Sequence, residues 1–181
     1  MKTEHNKAAE QSTKHIILIG FMGAGKTTVS RKIARWQHLC CIDIDRYIEN
    51  QHAMRISKMF IKYGEKYFRD QETAFLRTLA NRDRSVISTG GGIVLSDLNR
   101  QLLKESGTIV YLQVTANDVA ARIKNKRSRP LLTNEDQTRD LLDKRRALYE
   151  QIADITINTS DVKAALVAQT IITTLQDRGE L

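Results

Sequence analysis

Lys26 and Thr27 close the segment Gly20-Phe21-Met22-Gly23-Ala24-Gly25-Lys26-Thr27, a GxxxxGK[ST] pattern. Residue types at this spacing suit the holding of a chain of phosphates. Glycines let successive backbone N–H groups converge on phosphate oxygens, and a following helix adds its positive N-terminal end. A lysine reaches the β- and γ-phosphates, and a hydroxyl ligates Mg²⁺. Gly23, Ala24, Gly25, Lys26, Thr27 and Thr28 are therefore candidate ATP contacts, Lys26 is a catalytic candidate and Thr27 a metal ligand. The plain alternative is a glycine-rich turn with a surface lysine. The strand pattern before the loop and the helical pattern after it favour the phosphate site.

A phosphate loop serves kinases, switches and motors alike. A GTPase would also carry an Asn-Lys-x-Asp guanine reader and an Asp-x-x-Gly switch. Asn6-Lys7 and Asn125-Lys126 lack the aspartate, and no Asp-x-x-Gly occurs in the chain. Other residues suit transfer to a hydroxyl. Asp43 and Asp45, in "CIDID", close a strand pattern, and ligands of open α/β sheets bind beyond the carboxyl ends of strands. Extended alternation would place both carboxylates on one side. Asp43 suits a metal, and Asp45 suits a base for the acceptor hydroxyl. Alternatively, Asp45 caps a helix starting at Arg46.

Gly90, Gly91 and Gly92 follow "VIS" and Thr89; small residues there admit a ligand to the backbone, or form a plain flexible turn. Arg69 and Arg145 are suited to bidentate capture of a carboxylate, although each could be a helix-surface arginine. Between Arg122 and Arg129 lie Lys124, Lys126 and Arg127. A nucleic-acid patch would interleave aromatics there, and none is present. A lid closing over a triphosphate accounts for the same charges.

The elements that must position these groups alternate. Strands are predicted at 15–19, 39–43, 85–88, 108–112 and 154–158, short and apolar as strands buried on both faces are. Helices are predicted at 25–37, 46–62 with a break near Arg55, 65–80, 97–104, 115–124, 138–151 and 161–176. The alternation implies right-handed βαβ units and a parallel sheet with helices on both faces. A single domain over 14–177 follows, with a lid at about 122–137, a disordered or frayed tail over 1–13 and a short C-terminal tail over 178–181.

Composition agrees. The chain has 181 residues, 41% of them apolar and 28% charged, with a net charge of +8. That is one soluble domain. No apolar run reaches the ~20 residues of a membrane span, and residues 1–13 have no signal-peptide core, so a cytoplasmic chain is expected. Cys40 and Cys41 are adjacent, a poor geometry for a disulfide; they are expected as small core residues of a strand. His5, His15, His38 and His52 are isolated and expected at the surface or at strand edges.

In order along the chain, "GFMGAGKTT", "DID", "FIKYGEKYFRDQE", "STGGG", "RPLL" and "RRALY" together resemble the shikimate kinases, which have a nucleoside-monophosphate-kinase-like P-loop fold. The resemblance runs from about Lys14 to Gln176. It implies a three-layer α/β/α fold around a five-stranded parallel sheet. It also implies transfer of phosphate from ATP, with Mg²⁺, to the 3-hydroxyl of shikimate, on the route to chorismate and the aromatic amino acids. By the same resemblance, Asp45 contacts the acceptor hydroxyls and is the base. Arg69, Arg145, Gly91 and Gly92 hold the carboxylate and ring, and Phe60 and Phe68 line the site. Arg129 is catalytic and reaches the transferred phosphate, Arg122 packs on adenine, and Asp43 lies near the metal. Arg145 is chosen by its spacing from Tyr149, with Arg146 beside it as the alternative. Shikimate and ATP would account for the positive charge without nucleic acid, and a monomer is expected. Two other functions are open at this point: a kinase of another hydroxy acid such as gluconate, and a non-catalytic nucleotide-binding module.

Overall fold

The computed structural model describes residues 14–122 and 135–181. The predicted tail over 1–13 and most of the predicted lid, Arg129 included, lie outside the described residues.

Strand β1 (His15–Ile19) is buried along its whole length. It is followed by helix α1 (Lys26–Trp36), β2 (Cys40–Asp43), α2 (Ile44–Gln51) and α3 (Ile56–Arg77). Then come β3 (Ser85–Ser88), α4 (Asp97–Ser106), β4 (Gly107–Gln113), α5 (Ala116–Arg122), α6 (Glu135–Ile152), β5 (Ile155–Asn158) and α7 (Ala164–Asp177). All strand pairings are parallel, in the order β2-β3-β1-β4-β5. Helices flank the sheet: α1 packs with α7 and β3, while α3 packs with α2 and α4. In register, Ile17 sits between Ile87 and Ile109, at the centre of one continuous apolar core. This strand order brings the loops after β1, β2 and β3 to one edge of the sheet, side by side.

The fold class and the five strands stand as expected. Two local expectations do not. Cys40 and Cys41 are exposed, because β2 lies at the edge of the sheet, where its chain partner is β3. His15 is buried rather than peripheral. Its Nδ1 accepts from Ser85 N at 3.1 Å and its Nε2 lies 3.0 Å from Leu79 O, so the ring ties β1 to the segment entering β3. The boundary predicted between 62 and 65 falls at Gly64, the non-helical residue where two helical segments of α3 meet, and the break predicted near Arg55 divides α2 from α3 between Gln51 and Ile56. Glu49 makes that division: its carboxylate accepts from Ile56 N at 3.1 Å and pairs with Arg55 at 3.0 Å. Gly64, at φ 82° and ψ 164°, separates the two segments of α3, a conformation that a side chain would oppose.

Candidate active site

The phosphate loop joins β1 to α1. Gly20, Gly23 and Gly25 have φ of 141°, 80° and 91°, so the tight turn depends on residues without Cβ. A Cβ on Gly20 would also stand 2.5 Å from Leu112 O, which seats the loop against β4. Gly25 caps α1, and its carbonyl accepts from Thr28 N and Val29 N at 3.0 and 2.9 Å. Lys26 is 8% exposed. Its Nζ donates to Gly20 O at 2.7 Å and Phe21 O at 3.0 Å, which holds the ammonium over the loop. Arg122 reaches the same loop from α5, donating to Gly23 O at 3.3 Å and Thr159 Oγ1 at 3.2 Å.

At the foot of the loop, Thr27 Oγ1 donates to Asp43 Oδ2 at 2.7 Å, and Ser88 Oγ donates to the same oxygen at 3.2 Å. Two hydroxyls and a carboxylate form an oxygen-only set of the kind that hard divalent cations take. Among the described residues no group of three or more His, Cys, Asp or Glu could hold a metal; Mg²⁺ bound through substrate phosphates and one or two protein oxygens needs none. Ser88 escaped the sequence reading because a serine at the end of an apolar strand carries no signature of its own.

The two aspartates do not lie along one extended strand. β2 ends at Asp43, and Asp45 is already in the first turn of α2. The helix cap is Asp43, whose Oδ1 accepts from Arg46 N at 3.2 Å, so Asp45 is not the cap that the sequence allowed. Freed from capping, Asp45 points at the glycine triplet.

Each glycine of that triplet faces a different partner. A Cβ on Gly90 would stand 2.7 Å from Asp45 Oδ1 and 2.9 Å from Glu72 Oε1. One on Gly91 would stand 3.3 Å from Met22 N, against the phosphate loop. One on Gly92 would run into the Arg69 guanidinium. The triplet is thus a backbone floor on which the phosphate loop, two carboxylates and a guanidinium converge.

Arg69 rises from α3. It donates to Glu72 Oε2 at 2.7 Å and to Glu65 Oε1 at 2.7 Å. Burial works to lower its pKa, but the two carboxylates raise it. Glu72 is completely buried. Burial pushes its carboxyl up to about 7 against the pull of Arg69. Burial, reinforced by Asp43, pushes Asp45 up to about 6 against the pull of Lys26. Glu72 was missed by the sequence reading, yet a signal existed: it shares the buried face of α3 with Phe68, Phe75 and Leu76, where a carboxylate has no structural reason to be. Phe68 and Phe60 meet edge to face at 5.3 Å on the same helix.

Arg145 approaches from α6. It is buried in line with Leu142, Tyr149 and Ile152. Its Nη1 donates to Gly91 O at 3.3 Å, and its guanidinium lies 5.8 Å from the Phe21 ring centroid. Arg146 points away and pairs with Asp143 at 3.1 Å. Asp45 Oδ1, Glu72 Oε1 and Arg145 Nε are all buried without a hydrogen-bond partner. Buried polar atoms are rarely left so. Here three of them border one floor, two acceptors and one donor.

A phosphate loop beside a pocket of buried carboxylates and arginines, on a parallel α/β sheet, defines a P-loop kinase of small molecules. Deoxyadenosine kinase from M. mycoides shares that fold, at TM-score 0.60 and 20% identity. A family model described as shikimate kinase matches residues 22–176. A shikimate kinase of Thermodesulfovibrio yellowstonii is 41% identical over 162 residues, 88% of this chain and 93% of its own length. A shikimate kinase structure from Acinetobacter baumannii, in complex with shikimate, superposes at TM-score 0.87 with 37% identity, over 94% of this chain and 97% of its own. The chain belongs to the shikimate kinase family, and it is an enzyme that uses ATP.

Proposed function

We propose that the chain transfers the γ-phosphoryl group of ATP to the 3-hydroxyl of shikimate, giving shikimate 3-phosphate and ADP, within the domain spanning 14–177. The observation that carries this reading is the floor at Gly90–Gly92, where Asp45, Arg69 and the buried Arg145 converge beside the phosphate loop. Its chemistry matches a small carboxylate that bears hydroxyls.

Arg145, with its unpartnered Nε, and Arg69 neutralise and orient the substrate carboxylate. Glu72 holds the Arg69 guanidinium at 2.7 Å and so fixes its direction. Gly91 and Gly92 let the ring lie on backbone, and Phe60 and Phe68 wall it. Asp45 accepts the proton of the attacking hydroxyl; its raised pKa makes it a stronger base than an ordinary aspartate while leaving it ionised above about pH 6. Gly23, Ala24, Gly25 and Thr28 hold the phosphate chain, and Lys26 leaves its loop carbonyls for the transferred group, where positive charge lowers the barrier. Arg122, anchored at Gly23 and Thr159, flanks the nucleotide. Arg129 is assigned to the transferred phosphate on the "RPLL" sequence.

Thr27 and Asp43 would hold Mg²⁺, with Ser88 beside them; when bound, the ion supplies charge neutralisation between the phosphates. The net charge of +8 is assigned to these anionic substrates, not to nucleic acid, and the enzyme to a monomer. No helix among the described residues is long and apolar enough to cross a membrane.

The test is ADP release from MgATP with shikimate, quinate or gluconate. Strong stimulation by shikimate alone is expected. Equal or greater stimulation by gluconate would move the chain to another hydroxy acid.

A further inference from the structure

Tyr149 sits one helical turn after Arg145 on the buried face of α6. It is fully buried and stacks on Tyr111 of β4, with ring centroids 5.0 Å apart and planes at 21°. Both rings carry a hydroxyl inside the protein, but the two differ. Tyr111 Oη is buried without a partner, whereas Tyr149 Oη donates to Gly91 O. The same carbonyl accepts from Arg145 Nη1 at 3.3 Å. One carbonyl oxygen therefore receives two donors from α6, and it belongs to the Gly91–Gly92 peptide of the acceptor floor.

The carbonyls on either side take backbone donors, Gly90 O from Ile93 N at 3.3 Å and Gly92 O from Leu95 N at 3.0 Å, whereas the Gly91 carbonyl takes its donors from α6. Glycines have no Cβ to restrict their backbone rotation, and the floor depends on which way this peptide plane faces. Arg145 is a long side chain with many rotamers, and its Nη1 contact alone is long for a charged donor. The tyrosine is a short, stacked, rigid donor. Burial raises its pKa far above the ordinary phenol range, so the hydroxyl keeps its proton at every pH at which the fold is used.

We propose that Tyr149 is a positioning residue of the acceptor site: its hydroxyl fixes the Gly91 carbonyl, and through that carbonyl sets both the Gly91–Gly92 peptide and the Arg145 guanidinium. The proposal rests on the acceptor reading above and adds to it a group that does not touch the substrate. The phosphate loop is held by other contacts, so the effect falls on one substrate of the two.

The test uses the full chain as Tyr149→Phe, with Tyr111→Phe as its control, in steady-state kinetics and in calorimetric binding of shikimate. Tyr149→Phe keeps the stack and loses one hydrogen bond. The KM and Kd for shikimate should rise about 3- to 10-fold, as loss of one such bond implies, while the KM for ATP changes less than about 2-fold. Tyr111→Phe should leave both unchanged. An unchanged shikimate KM and Kd in Tyr149→Phe would overturn the proposal. So would equal losses for both substrates with a lowered Tm, which would mark the residue as packing only. Wild-type chain that neither binds nor phosphorylates shikimate would overturn the acceptor reading itself, and this proposal with it.

Discussion

Lys26 is held by carbonyls five and six residues before it. Arg145 is held by a carbonyl 54 residues before it. The contrast extends to the whole of each half-site. The cradle of the phosphate chain is one loop and one helix start, built from backbone donors and three glycines of positive φ. The acceptor side draws on α2, α3, the glycine triplet and α6, and it keeps charges out of water: Glu72 completely and Asp45 Oδ1 without a partner. A triphosphate brings ample charge of its own, and a cradle of N–H groups meets it at small cost. A small mono-anion must be recognised by a few fixed charges, and burying those charges costs stability.

The largest effect should follow loss of the phosphate-side cation. Lys26→Ala should lower kcat by about 10³-fold or more with any acceptor, with the fold retained by circular dichroism. Comparable turnover in this variant would remove the phosphate half from the chemistry.

Next in size is Asp45→Asn, which divides function from stability. Turnover with shikimate should fall by about 10²- to 10⁴-fold. Stability should move the other way. Burial raises the folded carboxyl from 3.8 to about 6, so above that pH the fold carries an ion that it disfavours. Removing the charge should add about 1–3 kcal/mol at pH 8, seen in chemical denaturation. A less stable variant would mean that the ionised Asp45 supports the fold.

A smaller and more selective effect is expected for the carboxylate anchor. Arg145→Ala should raise the KM for shikimate about 10- to 100-fold, and Arg146→Ala should change it less than about 2-fold, because Arg146 pairs with Asp143 at the surface. The reverse order would misplace the acceptor pocket.

The last effect is graded with pH. Asp45 and Glu72 carry folded values of about 6 and about 7, raised from 3.8 and 4.5. Between about pH 4 and pH 7 the folded chain therefore binds more protons than the unfolded one, and this contribution to stability is lost as pH rises through that window. Activity should rise through its upper part as Asp45 ionises. Parallel profiles of kcat/KM and of denaturation midpoint should thus slope in opposite directions. Two profiles that rise together would show that these carboxylates are favoured, not disfavoured, as ions.

The difference between the halves also explains what the sequence disclosed. The phosphate loop was legible because its function is local: residues 20–28 carry strand end, turn and helix start in one stretch. The five strands were legible from apolar runs. The partners of Asp43 and Asp45 were not, because strand end and helix start are adjacent and a two-residue shift of the boundary exchanges cap and pocket. Glu72 was marked only by its helical spacing from Phe68, Phe75 and Leu76, which sets it apart from the exposed Glu65. The exposure of Cys40 and Cys41 depends on β2 lying at an edge, and strand order is a property of the folded sheet. Which of Arg145 and Arg146 faces Gly91 depends on a contact between residues far apart in the chain.

The measurement that bears most directly on the central claim is the site of phosphorylation, read by phosphorus and proton NMR on the product of a shikimate and MgATP incubation. One phosphate is expected, on the 3-hydroxyl, formed in equal amount with ADP. Phosphate on another hydroxyl, or ADP released with shikimate unmodified, would contradict the claim.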